Sequence, residues 1–138
     1  MAKRTQPIKI NDTTYLMTFG LGFLERLNEK YRLEMDNGMS MDFGIHQAMI
    51  ELSNNNPLTI AYIIQFATAD NHNKPSREDI EDYIDEQTED DKSEEKLFSD
   101  FLEYLKKAPG AARIFKKAKE AQAKLKKEET LEETQEEK

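Results

Sequence analysis

The run Pro57–Ala69, PLTIAYIIQFATA, constrains this chain more than any other segment, because it is 13 residues long and carries no charge. A helix crossing a bilayer needs roughly 20 apolar residues, so the run is too short to span one. Leu58, Ile60, Ile63, Ile64 and Phe66 would each gain about 1.5–3 kcal/mol on full burial, and together roughly 10 kcal/mol, a sum comparable with the whole stability of a domain. The run is therefore expected to be a buried central helix rather than a displayed groove. Proline suits the first turn of a helix, where no amide partner is lost, so Pro57 marks its start. The asparagines Asn54, Asn55 and Asn56 before it end the preceding helix in a tight corner.

The other elements are expected to wrap this helix. PIKINDTTYLMTF reads as a hairpin turning at Asn11-Asp12, with Tyr15, Met17 and Phe19 on one face and Thr14, Leu16 and Thr18 on the other. Gly20, Phe23, Leu24, Leu27 and Tyr31 then recur at helical spacing, with Glu25, Arg26, Glu29 and Lys30 opposite. EMDNGMSMDFG reads as a loop, and Asp42 is placed to cap a helix striped by Ile45, Ala48, Met49 and Leu52. After the central run, Ser76 with Glu78 and Asp79 marks a helix start, and Ile80, Tyr83 and Ile84 form its inner face. DEQTEDDKSEEK reads as a hydrophilic break. The next helix carries Leu97, Phe98, Phe101, Leu102 and Leu105, and Ala108-Pro109-Gly110 ends it. Ala111, Ile114, Phe115, Ala118, Ala121 and Leu125 then recur among lysines.

Charge is segregated along the 138 residues. The chain is 35% charged and 37% hydrophobic, with a formal net charge of −8, and its mean hydropathy is −0.86. Glu78 to Glu95 holds 11 acidic groups against Lys92 alone, whereas Lys106 to Lys127 holds 9 basic groups against Glu120 alone. Such blocks mark solvated faces and interaction surfaces more often than chemistry. The chain contains no cysteine, which excludes disulfides and thiol catalysis and fits a reducing compartment. Lys3 and Arg4 are not followed by an apolar signal-peptide core, so a cytoplasmic location is expected.

Catalytic constellations are weak. His46 and His72 stand apart, and His72 with Asp70 or Asp79 is a poor metal or proton-shuttle candidate beside an ordinary surface imidazole. Asp79, Asp82, Asp85, Glu86, Glu89, Asp90 and Asp91 lack the spacing and central glycine of a calcium loop. Gly20 and Gly22 are too few to cradle a phosphate. No enzyme activity, metal or cofactor is expected. The basic stretch 106–127 raises nucleic-acid binding by a phage or bacterial regulator as an alternative. Against it, Arg113 is the only residue there able to make a forked base contact, and acidic blocks flank both sides. Helix-in-groove binding to a protein suits an apolar stripe with a charged rim better.

Four segments, FGLGFLERLNEKY (Phe19 to Tyr31), FGIHQAMIEL (Phe43 to Leu52), NPLTIAYIIQFATA (Asn56 to Ala69) and KPSREDIEDYI (Lys74 to Ile84), resemble in order and spacing the tail assembly chaperones of long, non-contractile-tailed phages and prophages of Gram-positive bacteria. The resemblance covers about residues 8 to 108. It implies a non-enzymatic factor in the host cytoplasm, absent from the finished virion, that binds the tape measure protein and helps recruit tail tube subunits. The Lys-rich helix and acidic tail after Pro109 are expected to be an extension beyond the family pattern.

The fold expected is mainly α: a small N-terminal β-hairpin, a compact bundle of about six helices and a disordered acidic tail. Its parts are a domain over 1–108, a basic amphipathic helix over 109–127 and the tail over 128–138. The helices Leu97 to Ala108 and Ala111 to Leu125 are expected to form the client surface, Phe98, Phe101, Phe115 and Leu125 anchoring while Lys116, Lys117 and Lys124 set register and encounter rate. The alternative is that these helices complete the core. Self-association around the client is a further expectation.

Overall fold

The computed structural model describes residues 4–31, 43–117, 119–120 and 123–124. The order is β1 (Thr5–Ile10), β2 (Thr13–Thr18), α1 (Leu21–Tyr31), α2 (Phe43–Ser53), α3 (Pro57–Ala67), α4 (Arg77–Gln87) and α5 (Asp91–Leu105). A sixth helix, α6, starts at 111 and is continuous over 111–117. A two-stranded antiparallel hairpin followed by six helices is the mainly α fold expected.

Asn11 and Asp12 both take positive φ, 51° and 65°, the backbone a two-residue hairpin turn needs to match the twist of its strands. That turn sets Ile8 opposite Tyr15 and Gln6 opposite Met17. Ile8, Ile10, Tyr15, Met17 and Phe19 therefore share one buried face. A hairpin alone is marginal in water, and this one is tied down at both ends. Asn11 Nδ2 donates to Asp79 Oδ1 at 2.8 Å, and Asn71 Nδ2 donates to the Leu16 carbonyl at 2.8 Å.

The apolar run lies at the centre as α3, packed against α1, α2, α4 and β2. Asn56 caps it by accepting from the Leu58 amide at 3.1 Å, and Pro57 occupies its first turn. Ile60, Ile63 and Ile64 are fully buried and Phe66 is half-buried. Leu58 departs from the expectation at 52% exposure. Being in the first turn, it overhangs the end of the core.

Two acidic turns that read as a break are helical. α4 runs to Gln87 and α5 begins at Asp91, because Asp90 accepts from the Ser93 amide at 2.8 Å and Asp91 and Glu94 lie in the first turn. Carboxylates there complement the positive end of the helix dipole, which outweighs their hydrophilicity. The expected cap on α4 is present as a capping box, with Ser76 Oγ accepting from the Asp79 amide at 3.0 Å. The loop between α1 and α2, the Asp42 cap and the tail over 128–138 lie outside the described residues.

The α1–α2 contact is close enough to need a glycine. A Cβ added at Gly44 would lie 2.7 Å from the Asn28 amide nitrogen and 2.8 Å from the Leu27 carbonyl carbon, and the Gly44 amide donates to Asn28 Oδ1 at 2.9 Å. Gly44→Ala is expected to push the two helices apart and to cost about 1–3 kcal/mol of unfolding free energy, measured by urea denaturation.

A polar network joins α1, α2 and α3. Tyr31 Oη donates to Glu51 Oε2 at 2.7 Å, and the fully buried Thr59 donates its hydroxyl to the same oxygen at 2.8 Å. Burial pushes the Glu51 carboxyl up, but the hydrogen bonds of Tyr31, Thr59 and Gln47, with the charge of Lys30, outweigh it and hold the group below the ordinary 4.5. Burial, then the Glu51 hydrogen bond, raises the Tyr31 hydroxyl. Because the folded pKa of Glu51 is depressed, its stabilisation is complete above the unfolded value and is lost as pH falls through the folded one. Glu51→Ala is expected to cost about 1–3 kcal/mol at neutral pH by stranding the two hydroxyls. The variant should also lose less stability than the wild type when denaturation curves are taken below about pH 4.5.

Candidate functional site

His46 and His72 are exposed. Asp70 is paired with Arg26, and Asp79 with Asn11 and the start of α4. Among the described residues, no three His, Asp or Glu side chains are grouped to hold a metal, and no helix is long and apolar enough to cross a membrane. The surface features that remain are suited to contacts with another macromolecule.

The first is the C-terminal arm. Gly110, between α5 and α6, takes φ 78°, a left-handed conformation that glycine adopts with little strain. Ala108, Ala111 and Ile114, on either side of it, belong to the same apolar cluster as Phe101 and Leu105. Phe115 packs at the edge of the cluster with Lys106 Nζ 5.3 Å from its ring centroid. Lys116, Lys117, Lys119 and Lys124 are exposed. α6 is thus anchored by its apolar side and presents lysines outward.

The expected anchors divide accordingly. Phe98 and Phe101 are core residues, 3% and 1% exposed, because α5 turns its apolar stripe onto α2 and α4. In this arrangement neither ring is open to a partner, so for these two the core alternative holds. Phe115 is half-buried, and Lys116, Lys117 and Lys124 are exposed together with Arg113. Leu125, with Ala118 and Ala121, lies outside the described residues.

The second feature was not anticipated from the sequence. Pro57, Leu58 and Ala61 of α3 and Arg77, Glu81, Ile84 and Asp85 of α4 enclose a shallow cleft of about 150 Å³. Helical periodicity places Leu58 beside Ala61 but cannot say that α4 leaves their outer edge uncovered. Beyond the cleft, Glu78, Asp82 and Glu86 are also exposed, so its surroundings are strongly acidic. The two features therefore carry opposite charge.

A third cluster is internal to the fold's surface. Tyr62 and Phe66 stack with ring centroids 6.0 Å apart, and Lys30 Nζ sits 3.5 Å from the Tyr62 ring centroid. Arg26 donates to the Phe66 carbonyl at 3.2 Å. These contacts clip α1 to α3 and leave the aromatics largely engaged.

A family model described as phage tail assembly chaperone protein, TAC, matches residues 7–120. The match takes in the hairpin, α1 to α5 and the beginning of α6. It corrects the expectation that everything after Pro109 lies beyond the family pattern, since the buried Ala111 and Ile114 make the first turns of α6 part of the folded unit. None of the curated proteins matches the chain, and none of the solved structures does.

Lys116, Lys117 and Lys124 point into solvent, so replacing all three by glutamate is expected to change the unfolding free energy by no more than about 0.5 kcal/mol per site. Phe115→Ser, which removes an edge packing contact, should cost more than any of them. Urea denaturation of the four variants checks both statements.

Proposed function

Because the chain belongs to the phage tail assembly chaperone family, which matches most of its length, we propose that it binds the tape measure protein before the tail is built. It keeps the long helices of that client from aggregating and helps bring tail tube subunits to it. The protein acts in the cytoplasm of a bacterial host, leaves before the virion is complete, and performs no catalysis. The host is a Gram-positive bacterium and the virus, or prophage, has a long non-contractile tail. The observation that carries this reading is the family match over residues 7–120.

The surface supports it. A chaperone for helical clients needs apolar contact points beside strong charge, each small enough to be released. Phe115 at the edge of the core, with Lys106 over its ring and exposed lysines at 116, 117 and 124 further along, supplies such a point on α6. Leu125 extends the same helical series in sequence.

Co-expression with the tape measure protein of the same genome tests this. The client is expected to be soluble and to co-purify with the wild-type chain, and both effects should fall when Lys116, Lys117 and Lys124 are replaced by glutamate. An insoluble client that leaves the chain unaccompanied would overturn the reading. Binding to random duplex DNA is the control for the nucleic-acid alternative: tight binding at low salt that weakens steeply as salt rises would favour a regulator using residues 106–127.

A further inference from the structure

Among the described residues, four large apolar side chains are exposed: Leu16, Leu21, Ile50 and Leu58. Single exposed leucines are ordinary on a protein surface. Leu58 differs because it lines a cleft. Its neighbours there, Ala61 and Ile84, are themselves 2% and 8% exposed, so the cleft is the open end of the apolar core.

The volume, about 150 Å³, is that of an engineered apolar cavity able to hold benzene. One large aliphatic or aromatic side chain would fill it. The rim specifies what flanks that side chain. Glu81 and Asp85 are one helical turn apart on α4, a spacing that puts their side chains on one face about 5–6 Å apart. Arg77 is the only basic residue on α4, and its 3.3 Å pair with Glu81 leaves the two side chains 43% and 60% exposed. An ion pair so solvated is worth little and is readily exchanged for another cation. The exposed Asp82 and Glu86 extend the negative field along the helix.

On the chaperone reading, we infer that the α3–α4 cleft is a second docking surface, receiving a client helix that inserts one apolar side chain against Leu58 while its lysines or arginines face Glu81 and Asp85. Charge complementarity selects this occupant. Two lysines four residues apart match the carboxylate spacing, and the same helix written with glutamates would meet like charge at Glu81, Asp82, Asp85 and Glu86. The chain then holds helices of opposite charge pattern at two places, acidic-faced ones on α6 and basic-faced ones here.

The probe is a labelled 18-residue synthetic helix with leucine at i, i+4 and i+7 and lysine at flanking positions, compared with its counterpart in which every lysine is glutamate. Binding is read by fluorescence anisotropy at about 50 mM and about 500 mM salt, where screening lengths differ severalfold. The lysine peptide is expected to bind and the glutamate peptide not. Leu58→Ser and Asp85→Lys should each raise Kd by at least about tenfold. Asp85→Lys leaves the unfolding midpoint in place because its side chain is exposed, so the loss of binding is not a loss of fold, and Leu58→Ser lowers the midpoint only modestly because half of its side chain is already in solvent. Glu25→Lys, the same charge change on α1, should leave Kd within about twofold. Equal affinity for the two peptides would overturn the inference, as would Kd values unchanged in both cleft variants. So would a wild-type dimer that Leu58→Ser makes monomeric while leaving peptide affinity unchanged, which would assign the cleft to a second copy. Client solubility on co-expression separates this inference from the function it rests on. Failure of the wild type to solubilise the tape measure protein removes the functional reading, whereas full solubilisation by both cleft variants removes only the cleft.

Discussion

Burial of α3 is the constraint on which the rest of the structure depends. The helix meets α1, α2, α4 and β2 directly, and β1 and α5 reach it through one intermediate element. Its apolar residues cannot be left in water at a cost comparable with the stability of the domain. Each neighbour therefore supplies one apolar face and keeps its charge for the outside. A polar group on the buried side of α3 must therefore find its partner inside. Thr59 is the case in point: its hydroxyl is met by Glu51, which Tyr31 and Gln47 also contact. The carboxylate stays ionised because hydrogen bonds to its charged form exceed the penalty of burial. One acidic residue thus ties three helices together around the core.

Most of this was legible in the sequence because the signals were local. The alternation through Tyr15, Met17 and Phe19, the Asn11-Asp12 turn, Pro57 as a helix start and Ser76 as a cap each rest on a few neighbouring residues, and each is realised. What could not be read depends on distance through space. Nothing in FGIHQAMIEL says that Gly44 must lie against the backbone of α1, and nothing marks Glu51 as the partner of residues 20 and 8 positions away. The break before α5 exists, at 88–90, but is shorter than expected for a different reason: hydrophilicity argued for a loop, while Asp90, Asp91 and Glu94 were also good residues for a helix start. Where those two local rules compete, the cap and the dipole decide.

The candidate site was less legible than the fold, and the reason is the ambiguity of an apolar stripe. Phe98, Phe101 and Phe115 share helical periodicity and a charged context, so pattern alone treats them alike. Packing separates them. α5 is covered by α2 and α4, which removes Phe98 and Phe101 from the surface, whereas Phe115, past Gly110, packs only at the edge. The cleft at Leu58 is the converse case, a residue assigned to the core by composition that the end of α4 leaves uncovered.

These placements bear on how a protein holding an unfinished assembly can let it go. A large continuous apolar face would bind helices tightly and would also make the free protein associate with itself. Among the described residues, the exposed apolar surface includes small sites such as the edge of Phe115, on a helix with exposed lysines, and the cleft at Leu58, whose rim carries Glu81 and Asp85 with Arg77. A single side chain entering such a site gains at most a few kcal/mol, much of which is offset by ordering the client. The charged rims act over about a Debye length, roughly 8 Å at physiological salt, so they favour encounter and orientation more than retention. On the function proposed, affinity would rise only where one client helix array engaged several such sites at once, and would fall once any of them was withdrawn.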